Sequence, residues 1–149
     1  MSTADPFDLE RFVTAQSLAF DAALAELKAG RKRSHWMWFV FPQLRGLGHS
    51  SMAHFYGIGS LGEAQAYLEH ALLGPRLELC TQTVLASHAS SVRELFGSPD
   101  DLKLRSSMTL FALVAADDGS LFRKVLDRWY GGEMDEQTQR LLPSHNVED

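Results

Sequence analysis

Apolar residues recur at three- and four-residue intervals along most of the chain. The first such run is Phe12, Ala15, Ala19, Ala22, Ala23 and Leu27, spacing that lines up one face of a helix. Asp5-Pro6 supplies an N-cap and a first-turn proline for it, and Gly30 closes it. A second helix is predicted over 34–41, capped by Ser34 and stopped by Pro42. Residues 43–50 read as loop, and Ser50 or Ser51 caps a turn of helix to Tyr56. Ser60 and Glu63 have capping-box spacing for a helix to Glu69 or His70. Gly74-Pro75 opens the next, which carries Leu77, Cys80, Thr81, Val84 and Leu85 on an apolar stripe. Ser90 caps a short helix over 91–96 that Gly97 ends. Ser98-Pro99-Asp100-Asp101 combines a serine cap, a proline and two acids, and starts a helix running to about Ala116. Two more helices follow over 120–130 and 135–142, with Asp118-Gly119 between two helical patterns. No run alternates as a strand would. The pattern predicts an all-α orthogonal bundle of about eight short helices. It forms one domain over 1–149, with its core over about 5–142 and short flexible termini.

Composition changes this picture little. A chain of 149 residues, 45% hydrophobic and 22% charged, is ordinary for a globular protein. No apolar run approaches the roughly 18 residues of a membrane span, and the N-terminus lacks the apolar core of a secretory signal. A single cysteine, Cys80, allows no intrachain disulfide and fits a reducing cytoplasm. Its place on an apolar stripe marks it as a buried, inert thiol.

Charge is more informative. The net charge is −5, yet no Asp or Glu occurs between Glu26 and Glu63. Those 36 intervening residues hold Lys28, Arg31, Lys32, Arg33 and Arg45, so they carry +5 and the other 113 carry −10. An acidic protein with one basic segment is a poor match for a polynucleotide, whose binding scales with the phosphates neutralised. It suits a small anionic metabolite.

The basic segment contains SHWMWFVFPQLRG, residues 34–46, with two tryptophans and two phenylalanines. A helix so apolar on every side is core material. It gives way at once to PQLRGLGHSS, a loop rich in donors and glycines, and loops fixed to rigid elements are where binding groups collect. The helix DDLKLRSSMTLFALVA is likewise apolar, but Lys103, Ser106, Ser107 and Thr109 interrupt its first half. Either these are backbone-bonded hydroxyls on a solvated face or they form a polar pocket wall. A cleft is expected between the 43–50 loop and the first two turns of this helix. No Walker loop, GxGxxG, HExxH or CxxC occurs, and the six histidines lack compact metal spacing, so neither a metal nor a cofactor is expected.

HWMWFVFPQLRGLGHSSMAHFYGI, LGPRL and DDLKLRSSMTLF resemble the signature segments of the family catalogued as domain of unknown function 1810. The resemblance spans the chain from about Asp5 to Leu142 and implies a compact helical fold without an established activity. It carries the family's polar positions onto Lys32, His35, Trp36, Gln43, Ser50, Tyr56, Asp101, Lys103, Ser106 and Ser107. His70-Ala71 stands where the family more often has His-Pro, which would affect a helix boundary only. The chain is also similar in size and in its tryptophan and acid content to small NADAR-type helical proteins, associated with ADP-ribose chemistry. No catalytic motif aligns, and the likeness is one of fold.

Three readings follow. In the first, the protein binds a nucleotide-like or phosphorylated ligand and cleaves an N-glycoside. Trp36 or Trp38 stacks the ring, Lys32, Arg45 or Lys103 holds phosphate, and Asp101 is the general acid or base. The second is a protein-interaction module presenting the aromatic helix, as a monomer or weak homodimer. The third is a structural domain without a ligand.

Overall fold

The apolar spacing of the first run becomes helix α1, Glu10–Lys28. A computed structural model describes residues 5–115 and 120–145. Asp5 is not the N-cap residue, which is Leu9, but its carboxylate still accepts from the Leu9 and Glu10 amides at 2.8 and 3.1 Å. The helix nevertheless begins at Glu10, not Pro6, because the chain first turns through Asp8 in the left-handed region, φ 52°. Aspartate tolerates that conformation better than most side chains.

The second predicted helix shrinks to one turn, α2, Met37–Val40. Ser34 does not cap it. Its hydroxyl donates instead to Glu26 at 2.5 Å, and the same carboxylate accepts from the Arg33 and Ser34 amides and the Trp36 indole at 2.8–3.0 Å. These bonds hold residues 33–36 against α1, so helical geometry begins only afterwards. Burial pushes the Glu26 carboxyl up, but the four hydrogen bonds outweigh it and hold it at about 2, against an ordinary 4.5.

Helix α3, Ser51–Phe55, is capped by Ser50, whose Oγ accepts from Ala53 N at 3.0 Å. It lies within a loop closed at its base by a parallel bridge between Leu44 and Ile58. Arg45 N donates to Ile58 O at 2.7 Å, and Ile58 N donates to Gln43 O at 2.9 Å. Gly57 permits the closure, since a Cβ there would lie 2.8 Å from Ala53 O and Arg45 Cα. Among the described residues this bridge is the sole β pairing, and nine helices make up the fold.

Ser60 caps α4, Leu61–Glu69, through Glu63 N. Then come α5, Leu73–Leu85, and α6, Val92–Phe96, capped by Ser91 rather than Ser90. Helix α7 is Asp100–Ala115. Carbonyls of Gly97 and Pro99, not the Ser98 hydroxyl, take its first amides. The expected end at Ala116 and the Asp118-Gly119 break lie outside the described residues. Helices α8, Leu121–Tyr130, and α9, Glu136–His145, complete the chain.

Helix α7 is the hub. It packs against α4, α6, α8 and α9, while α5 joins α1, α4 and α8. One buried cluster runs through the molecule. Trp36, Phe41 and Phe96 meet with ring centroids 5.9–6.3 Å apart. A file of rings, Phe12, Tyr67, Phe111 and Phe122, crosses from α1 to α8 at 5.1–5.7 Å spacing. Such contacts add about 0.5–1.5 kcal/mol per pair beyond area burial. Cys80 is fully buried, and burial pushes its thiol up to about 12, so it carries no thiolate near neutrality. No helix among the described residues is long and apolar enough to cross a membrane.

Candidate functional site

Pro42 ends α2 and sends residues 43–48 across the first two turns of α7. Between them lies a cleft of about 400 Å³, lined by Gln43, Leu47, Gly48, Pro99, Leu102, Lys103, Arg105, Ser106, Asp135 and Gln137. Behind it is an apolar cavity of about 10 Å³, room for one water-sized group, lined by Met37, Trp38, Phe41, Gln43, Ala53, Tyr56, Gly57 and Lys103. Gln43 and Lys103 belong to both, so they form the partition between cleft and cavity.

The electrostatics centre on Asp100. One carboxylate oxygen is 2.9 Å from Lys32 Nζ and the other 3.5 Å from Lys103 Nζ. Lys32 is saturated: it also donates to Ser34 O at 2.7 Å and lies over the Trp36 ring, with 8% of its side chain exposed. Lys103 is held more loosely. It is 27% exposed and lies 5.3 Å from the Trp38 ring centroid. Two lysines share one aspartate, an excess of one positive charge within that triad, and the Asp135 carboxylate also lines the cleft.

The structure brings only part of the expected set to this place. Gln43, Lys103 and Ser106 line the cleft, and Tyr56 lines the inner cavity. Trp36 does not serve as a stacking platform: it is 1% exposed and is enclosed by Phe41, Phe96 and Lys32. Arg45 braces its own loop, donating to His54 O and Gly57 O at 3.0 Å. Ser50 is a helix cap. His35 is exposed and Asp101 half-buried, and neither lines the cleft. The Asp101 carboxylate accepts from the Leu102 amide, and its carbonyl from the Tyr130 hydroxyl. Ser107 is fully buried behind the wall, and its Oγ has no hydrogen-bond partner among the described residues.

Sequence reasoning missed the far wall. Arg105 donates to the Glu133 and Met134 carbonyls, drawing the segment before α9 over the cleft. Asp135 caps α9 by accepting from Thr138 N and Oγ1 at 3.0 and 2.6 Å. The Asp-x-x-Thr spacing at the start of α9 was the available signal. Also missed was Arg11, whose guanidinium binds the carbonyls of Phe7, Asp8, Phe55 and Gly57 and pairs with Glu63 at 2.7 Å. It fixes the backbone on either side of Tyr56.

A larger trough of about 570 Å³ runs between the end of α1 and the loop after α5. Several of its polar side chains are already committed. Thr83 donates to Leu79 O, Ser87 accepts from Ala89 N, and Glu94 holds Ser90. It is less suited to recognition than the Gln43–Lys103 cleft. Among the described residues no group of three or more His, Cys, Asp or Glu is arranged to hold a metal ion.

A bundle of this topology has a near match among solved structures. The crystal structure of a conserved hypothetical protein, Rv1873 from Mycobacterium tuberculosis, is 58% identical, with a TM-score of 0.89 over 93% of this chain and 99% of that one. The family described as protein of unknown function (DUF1810) matches residues 6–142, and the chain belongs to it. No curated protein matches the chain.

Proposed function

We propose that the protein binds a small anionic, ring-containing metabolite, nucleotide-like or phosphorylated, in the cleft between residues 43–48 and α7. One observation carries this reading: Gln43 and Lys103 each line both the open cleft and an apolar cavity, and Leu47, Pro99 and Leu102 line the cleft with them. Apolar walls with a few convergent polar groups are how small-molecule sites are built, and about 400 Å³ falls within their usual size. Lys103 supplies the positive end, and the acidic remainder of the chain repels a long phosphate polymer. Among the described residues Asp135 is the one carboxylate lining the cleft, and it is occupied as a helix cap, so the geometry favours binding over N-glycoside hydrolysis. The aromatic helix α2 is too buried to be a partner surface. The reading is of a cytoplasmic protein that works as a monomer or weak homodimer.

The test is a thermal-shift screen with adenosine monophosphate, ADP-ribose and simple aromatic carboxylates. A ligand at a hundred times its Kd stabilises the native state by about 2.7 kcal/mol. A shift in the wild type that vanishes in Lys103→Ala is expected. No shift with any compound, or one that survives Lys103→Ala, counts against the site.

A further inference from the structure

We infer that the cleft selects a ligand with a single negative charge and an amide-type edge, a lactam or imide, set in a small ring. This rests on the binding reading above and narrows it. The charge follows from the aspartate between the two lysines. Lys32 is saturated by Asp100, Ser34 O and the Trp36 ring, so it cannot turn towards a ligand. Lys103 can, because its contact with Asp100 is long at 3.5 Å and its side chain is partly exposed. The other cation on the wall, Arg105, is spent on the Glu133 and Met134 carbonyls and lies 3.6 Å from the Glu133 carboxylate. One available positive charge matches one negative charge. A second would sit against Asp100 and Asp135.

The edge follows from Gln43. Its backbone carbonyl is fixed by Ile58 N, yet its half-buried side-chain amide has no hydrogen-bond partner among the described residues. Ser106 Oγ donates to Leu102 O and Asp135 is a cap. Gln137 also carries an amide unbonded among the described residues but is exposed on α9. Gln43 is therefore the half-buried polar group that lines both cleft and cavity with Lys103 and has unused bonding capacity. An amide offers an acceptor and donors side by side, and its complement is another amide edge. A site holding an unmet amide discriminates strongly against ligands that lack the matching groups.

Titration calorimetry at pH 7.5 with four probes tests this. Orotate has one carboxylate and lactam edges; benzoate has the carboxylate alone; isophthalate has two carboxylates; adenosine monophosphate is largely a dianion without a lactam. Orotate is expected to bind at least tenfold tighter than each of the others. Gln43→Leu should remove the orotate advantage, bringing its Kd to that of benzoate measured on the same variant. Should isophthalate or adenosine monophosphate bind more tightly than orotate, or Gln43→Leu preserve the orotate advantage, the inference is overturned and the binding site stands. Should none of the four bind the wild type, both are overturned.

Discussion

Arg11 and Lys103 are both cations set against aromatic rings, over Phe12 at 4.3 Å and Trp38 at 5.3 Å, and the fold treats them in opposite ways. Arg11 is buried, and its guanidinium is bonded to four carbonyls and to Glu63. Nothing remains for a ligand to bind. Lys103 shares one aspartate with a better-held lysine, faces a cleft, and has a free amide beside it. The residue types are alike, and their degree of saturation separates a structural cation from a recognition cation. Desolvating an unpaired charge is expensive, so a fold that buries one must satisfy it fully, whereas a ligand site keeps capacity in reserve.

The largest test of that contrast is Arg11→Ala. Removing it takes the cation from the Glu63 carboxylate and one donor from each of four carbonyl oxygens, and urea unfolding should show a loss of about 3–5 kcal/mol. If the pair acts as a unit, Arg11→Met combined with Glu63→Leu loses less than the two single changes added together. Trp36→Ala should cost a similar 3–5 kcal/mol, because it opens a cavity among Phe41, Phe96 and Lys32 and takes one donor from Glu26.

Glu26 sharpens the comparison through pH. Its folded carboxyl lies at about 2, below the ordinary 4.5, so the unfolded chain binds the proton more readily. Its contribution is present above pH 4.5 and is lost as pH falls from 4.5 towards 2. The stability gap between wild type and Glu26→Gln, followed by urea midpoint, should be constant near neutrality and close over that window.

Ser107→Ala goes the other way. It deletes a buried hydroxyl without a partner among the described residues and should raise stability by about 1 kcal/mol. A loss instead would show that the hydroxyl is satisfied after all. The smallest change in stability belongs to Lys103→Ala, within about 1 kcal/mol because its 3.5 Å contact is loose and Asp100 keeps Lys32, yet that variant should abolish the ligand-induced thermal shift. Equal destabilisation by Arg11→Ala and Lys103→Ala would break the contrast.

Most of the helices were legible because their caps and periodicity are local. Ser50 and Ser60 cap where their spacing says they should. Residues 34–36 were misread because the partner that holds them, Glu26, comes from another element, and no local pattern announces a carboxylate eight residues away. The cleft was half legible. Gln43 and Lys103 stood out as polar groups in apolar surroundings, and the segments carrying them do adjoin. Trp36 was legible as core from the apolar pattern of its segment, and only its assignment as a binding group fails, since a ring enclosed by Phe41 and Phe96 offers no face to a ligand. The pairing of Arg11 with Glu63 was invisible because the two lie fifty-two residues apart, Glu63 being legible only as a capping-box residue.

The bridge between Leu44 and Ile58 has a kinetic consequence. Two hydrogen bonds close the base of the loop that carries α3, and Arg11 and Arg45 both grip the Gly57 carbonyl from within the structure. Such a segment cannot fray residue by residue from its tip; it lifts as one piece or stays shut. The amides of Arg45 and Ile58 should therefore exchange with solvent deuterium at a common rate, set by a single opening event. Gln43 and Tyr56 ride on that same piece, so the shape of the cleft wall and the integrity of the loop are one equilibrium.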